Sequence, residues 1–150
     1  MVVHGHPGMD EVSASGPTTV AEFRDGAVTT YEVTPEQAGL PRGTVYALAG
    51  GDATRNAEIL RGILSGENGP RRDVILINAG MALLAAGVVE DLGEGVAKAR
   101  ISIDYGEALA RLDGLVALTQ RLGAEADERA VKEAAADSVV ADATSGGAGA

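Results

Sequence analysis

The apolar positions of the chain fall first into short strand-like runs and then, from about residue 34, into helical stripes. Val2-Val3 is a brief apolar run closed by His4-Gly5, and it predicts a buried strand. Thr18 to Phe23 and Ala27 to Val33 are β-branched runs flanking Arg24-Asp25-Gly26. Asp-Gly between such runs predicts an antiparallel hairpin, because glycine supplies the positive φ of a tight turn. Thr19, Ala21 and Phe23 alternate with Val20 and Glu22, and Thr29, Tyr31 and Val33 alternate with Thr30 and Glu32. One face of the pair can therefore pack while the other stays wetter. The hairpin reads as structural.

Beyond it the period changes. Thr34 can cap a short helical turn, Pro35 suits its first position, and Gln37 sits three after the cap. Gly39 and Pro41 end the turn, and Gly43 to Ala49 reads as connector or short strand. Asp52 caps a helix reaching about Ser65, striped by Ala57, Leu60 and Leu64 beside Ile59 and Ile63. Asn56, near its start, reads as a local backbone partner rather than a reach toward active-site loops. Gly66 to Gly69 stop that helix, and Pro70 with Arg71, Arg72 and Asp73 opens the next. This second helix is apolar nearly all round and is predicted to be buried. Its long apolar run, Val74 to Val89, is interrupted by Asn78, while Gly80 and Gly87 point to close approach of neighbouring backbone. Asp91 begins a third helix with Leu92, Val96, Ala99 and Ile103 in a stripe, and Gly106 supplies its stop. Glu107 to Leu122 forms a fourth, with Leu109, Leu112, Val116 and Leu122 inward. From Gly123 the chain turns to alanine, glycine and acids, without an aromatic. Ala124 to Ala136 is helical by propensity, and Thr144 to Ala150 is predicted to be disordered. The organisation is one α/β domain over 1–122 followed by a tail over 123–150.

Composition narrows the function. At 150 residues the chain can bury about 70% of its unfolded surface. Three tyrosines and one phenylalanine leave a core of Val, Ile, Leu and Ala. The net charge of −10 argues against nucleic acid, which is bound through basic patches. Val74 to Val89, broken by Asn78, reads as a buried helix rather than a membrane span. No basic, then apolar, leader opens the chain, and cysteine is absent, which fits a reducing cytoplasm.

The candidate chemistry lies in the first eleven residues. After the Val2-Val3 strand a Gly/Pro-broken turn delivers two adjacent carboxylates, Asp10 and Glu11. On a strand these neighbours would point to opposite faces, but an irregular turn after Gly8 can aim both at one point. Magnesium prefers one or two carboxylates plus substrate phosphates to a cage made wholly of protein. The ordinary alternative is that the two are solvated surface charges. His4-x-His6 is a second metal pattern, but with two histidines and no cysteine in the chain a transition metal would lack ligands.

Val2-Val3-His4-Gly5 and Gly8-Met9-Asp10-Glu11-Val12-Ser13 together resemble the signature of the anthranilate phosphoribosyltransferases. Leu48-Ala49-Gly50-Gly51-Asp52 with Asn56-Ala57, and Gly69-Pro70-Arg71-Arg72-Asp73-Val74 with Asn78-Ala79, resemble later blocks of that family in the same order. The resemblance covers about Val2 to Leu118. It implies a carboxyl-terminal portion of a longer enzyme, truncated at its amino terminus, with Val2-Val3 in the middle of a mostly parallel sheet. It also implies that Asp10 and Glu11 bind Mg2+ at the diphosphate of phosphoribosyl pyrophosphate, with anthranilate as acceptor, in tryptophan biosynthesis. The family's homodimer contact would lie in the missing amino-terminal region. The Gly-Thr-Gly-Gly-Asp phosphate loop, the Lys-His-Gly-Asn segment and the anthranilate-holding arginine of the family have no counterpart here. Gly50-Gly51-Asp52 lacks the preceding Gly-Thr and stands in a different block. Two other readings stay open: a pyrimidine nucleoside phosphorylase of the same fold or a paralogue with another acceptor, and a truncated piece without catalysis.

Overall fold

A computed structural model describes residues 1–145 and divides them into two compact units, Met1–Leu109 and the chain from Ala110 onward. The first unit carries three strands, β1 (Val2–Gly5), β2 (Thr18–Arg24) and β3 (Ala27–Val33), then helices α1 (Ala53–Leu64), α2 (Pro70–Ala85) and α3 (Leu92–Asp104). Short 3-10 turns occupy Glu36–Ala38 and Val45–Leu48. Helix α4 (Glu107–Ser145) begins in the first unit and makes up the second.

The three strands form one sheet in the order β1-β2-β3, and both pairings are antiparallel. The α/β class holds, whereas the mostly parallel sheet is corrected for the described residues. The reason is the return of the chain: the loop over residues 6–17 folds back so that β2 runs against β1, with Val3 opposite Val20 and Gly5 opposite Thr18. β1 is an edge strand, and Val2 is 72% exposed, so its predicted burial is not realised within this chain. The hairpin is as predicted, with Asp25 and Gly26 both at positive φ, as a type I′ turn requires. Its packing face is the one carrying the fully buried Thr18 and Val20; the opposite face leaves Phe23 and Val28 in solvent.

Helix starts follow local chemistry. Asp52 accepts from the Arg55 N–H at 2.8 Å and Asp91 from the Glu94 N–H at 2.8 Å, each satisfying an orphan donor of the first turn. At Thr34 the Gln37 arm of the predicted capping box forms, with Gln37 Oε1 accepting from the Thr34 N–H at 2.8 Å, while the Thr34 hydroxyl turns to the Glu36 carboxylate. Gly43 to Ala49 contains a 3-10 turn rather than a strand.

Helix α2 is the buried centre, with Leu76 and Ile77 fully enclosed. Arg72 is buried as well, and its guanidinium donates to Asp104, to the Gly66 carbonyl and to Asn68 Oδ1. Gly80 meets Gly95 of α3 so closely that a Cβ on Gly95 would lie 2.5 Å from the Gly80 carbonyl oxygen. Gly87 plays a different part from the one predicted: it stands past the helix end at φ 67, with open space around it, and terminates α2 instead of admitting a neighbour.

α4 continues well beyond Leu122, through the predicted Ala124–Ala136 helix to Ser145. Leu122 is half exposed rather than inward, and Arg121 pairs with Glu125 one turn on. The disorder predicted from Thr144 falls, for residues 146–150, outside the described residues. Among the described residues no helix is long and apolar enough to cross a membrane.

The glycine contact generates a test. Gly95→Ala must push apart α2 and α3 and is expected to cost about 1–3 kcal/mol by overpacking. Gly114→Ala, in open helix surface, is expected to gain about 0.5–1 kcal/mol. Urea unfolding of the two variants beside the parent reads both signs; equal effects would contradict the packing described.

Candidate functional site

The loop that carries Asp10 and Glu11 is held by backbone bonds at its neck. Gly5 N–H donates to the Met9 carbonyl at 2.9 Å, and the Gly5 carbonyl accepts from the Gly8 and Met9 N–H groups at 2.8 and 2.7 Å. Gly8 takes φ 98, the left-handed region that glycine enters at no steric cost. The His6 N–H reaches across to the Pro17 carbonyl at 2.9 Å, closing the loop at its other end.

Inside the loop Ser13 is buried, and its hydroxyl gathers the surrounding backbone. It accepts from the Ser15 and Gly16 N–H groups, each at 3.1 Å, and donates to the His6 carbonyl at 3.2 Å. The Ser13 N–H donates to Thr18 Oγ1 at 2.9 Å. Glycine is required at Gly5, where a Cβ would lie 2.6 Å from the Glu11 carbonyl oxygen.

Val12 follows the acidic pair directly and is 1% exposed. Its N–H donates to Asn78 Oδ1 at 2.9 Å, and its carbonyl accepts from Asn78 Nδ2 at 2.9 Å. Asn78 Nδ2 also donates to the Val74 carbonyl one turn back in α2. Asn56 makes the same two-sided contact with Gly51, donating to its carbonyl and accepting from its N–H. That is the local backbone role read from the sequence.

Asp10 and Glu11 are both exposed, and neither carboxylate has a hydrogen bond or ion pair among the described residues. Their oxygens are thus free acceptors on a loop whose backbone is otherwise tightly held. The set suits a hard divalent cation, which takes carboxylate oxygens readily and completes its shell with water and phosphate. No group of three or more His, Cys, Asp and Glu is gathered among the described residues, so a cation here would need ligands from solvent or substrate. The two histidines stand edge to face at 5.1 Å, and His6 Nε2 lies 3.2 Å from Thr19 Oγ1. An apolar recess of about 240 Å³ between α1 and α2, lined by Leu48, Ile59, Ile63 and Ile75, holds no carboxylate and offers a cation nothing.

The sequence singled out the two carboxylates as candidates but not the residues that hold their loop. Asn78 had a signal: it is the lone amide inside an apolar helix, a position that requires partners for all its polar atoms. Ser13 carried none beyond its place in a turn-rich segment.

Residues 1–109 match the sequence family described as glycosyl transferase family, a/b domain. The anthranilate phosphoribosyltransferase of Rhodopseudomonas palustris strain BisA53 is 53% identical over 118 residues, which cover 79% of this chain and 35% of that protein. The enzyme of the same name from Desulfatibacillum aliphaticivorans is 49% identical over 122 residues, 81% of this chain and 36% of its own length. Among solved structures, the anthranilate phosphoribosyltransferase of Thermus thermophilus superposes with a TM-score of 0.70 at 41% identity, covering 77% of this chain and 34% of that one. The Saccharomyces cerevisiae enzyme in complex with PRPP and Mg does so at 0.67 and 34%, covering 74% and 32%. The chain spans about a third of the length of the relatives it matches. With the family matched over most of its residues, the chain belongs to the glycosyl transferase family through its a/b domain.

Proposed function

We propose that this chain is the part of an anthranilate phosphoribosyltransferase that carries the magnesium-binding pair, Asp10 and Glu11. The activity in question moves the phosphoribosyl group from phosphoribosyl pyrophosphate to the amine of anthranilate. The observation that carries the site is the freedom of both carboxylates on a loop whose backbone is held on either side of them, at Gly5 and Met9 and at Val12 and Ser13. Support for the activity comes from relatives near 50% identity that bear that name, and from a relative solved with PRPP and Mg. The same relatives favour this activity over that of a nucleoside phosphorylase. The reading carries with it a homodimer whose contact lies outside this chain, and a cytoplasmic setting.

The residues present do two things in this reading. Asp10 and Glu11 offer hard oxygen ligands, and beside bare diphosphate the same charges would repel it. The loop from Gly5 to Thr18 holds the backbone that carries both ligands, so that less ordering is left for the moment of binding. Bound there, magnesium would offset the charge of the diphosphate leaving group. The ribose centre becomes cationic as its bond breaks, so no strong protein nucleophile is required.

Asp10→Asn and Glu11→Gln, made in a full-length enzyme carrying this segment, are expected to raise the Mg2+ midpoint and the KM for phosphoribosyl pyrophosphate together. The rise should be at least about tenfold, since even residues that only support a ligand typically cost that much. Extra magnesium should restore part of the rate, and the KM for anthranilate should stay near that of the parent. Unchanged magnesium dependence would leave the pair as surface charge.

The 150-residue chain alone is expected to show no transferase turnover, because it spans only about a third of the relatives' length and lacks their phosphate loop. Product formation above a boiled control would contradict this.

A further inference from the structure

We infer that Asn78 is the positioning residue of the acidic pair: from within α2 it fixes the aim of Asp10 and Glu11 by holding the backbone of Val12. The inference rests on the reading of those carboxylates as cation ligands.

One side-chain amide engages both backbone groups of Val12, at 2.9 Å each. The Val12 N–H belongs to the peptide plane shared with Glu11, and the Val12 carbonyl to the plane shared with Ser13. Two bonds therefore set two consecutive planes, as a neighbouring strand would. The first of those planes carries the Glu11 carbonyl, which is pressed against Gly5 so closely that a Cβ there would lie 2.6 Å away. Glu11 is thus held from both sides through its backbone while its carboxylate stays free.

The amide itself cannot turn. Nδ2 has two hydrogens, and each has an acceptor, the Val12 carbonyl and the Val74 carbonyl. A flip of the amide would place the oxygen against two carbonyls and the nitrogen against an N–H donor. The helix that presents Asn78 is anchored by buried Leu76, Ile77 and Met81 on either side of it, and this makes the anchor rigid. An outer residue of this kind orients ligands without touching the cation.

A residue that merely kept the fold would behave differently. It would lower the melting temperature, but the folded population would bind a cation as tightly as the parent. The test uses Mn2+, a paramagnetic stand-in for Mg2+, titrated into the full 150-residue chain and followed by the loss of the free-ion electron spin resonance signal. Melting is recorded in parallel by circular dichroism, and each titration is run well below the midpoint. Asn78→Ala is expected to weaken Mn2+ binding about tenfold. A folded Asn78→Ala with the parent's affinity would overturn the inference. Where the alanine variant does not fold, Asn78→Asp is read in its place, because it keeps an acceptor for the Val12 N–H and loses both donors. Weakened binding by folded Asn78→Asp supports the inference, and parental affinity overturns it. The double variant Asp10→Asn, Glu11→Gln separates the two levels. If it retains the parent's affinity, the cation reading fails and the role of Asn78 fails with it. If it loses binding while both Asn78 variants keep theirs, only the positioning role fails.

Discussion

The side-chain amide of Asn78 against the backbone of Val12 is the contact on which the candidate site depends. Val12 is buried, so neither its N–H nor its carbonyl can turn to water. Each would cost about 1–3 kcal/mol if left without a partner. Asn78 satisfies both at once and has a third bond to spare for its own helix. An apolar residue of the same volume would fill the space and leave two buried polar groups unpaired. The loop is therefore held at Val12 in the arrangement that satisfies both of these buried groups, and in that arrangement Asp10 and Glu11 face solvent.

Helix α2 does this because it carries three departures from an apolar surface, each matched to a different neighbour. Arg72 at its first turn ties the turn before α2 to the end of α3 through Gly66, Asn68 and Asp104. Asn78 at its middle holds the acidic loop. Gly80, two residues on, removes the side chain that would keep α3 away. A helix made only of Leu, Ile and Ala could be buried equally well, but it would not specify which loop or which neighbour lies where. The polar and small residues supply that specificity, and burial supplies the rigidity with which it is transmitted.

Much of this was legible in the sequence where the controlling physics is local. Asp52 and Asp91 marked helix starts because a cap reaches only three residues along the chain. Asp25-Gly26 marked the hairpin because a type I′ turn places both of its central residues at positive φ, which Asp-Gly tolerates. The direction of the sheet was not legible. A four-residue strand such as Val2–Gly5 has the same sequence whether its neighbour is parallel or antiparallel, and the choice was made by the return of the loop. Exposure of Val2 follows from its place at the edge, which is likewise a tertiary outcome. Gly80 and Gly87 looked alike in the sequence and differ in the fold, one meeting α3 and one ending α2. The carboxylates were found through the motif they share with a family. The anchor of their loop, Asn78, lies sixty-six residues from the Val12 it holds, at a distance no periodicity reports.

If the acidic loop and the middle of α2 form one unit around a cation, a paramagnetic ion must report both at once. Broadening of signals in the ¹⁵N-labelled chain tests this most directly, with Mn2+ added in the presence of inorganic pyrophosphate. The first signals lost are predicted to be the backbone amides from Gly8 to Ser13, followed by the side-chain amide of Asn78. Broadening centred on Asp52, Asp91 or the acidic residues of α4, with Asp10, Glu11 and Asn78 unaffected, would contradict it.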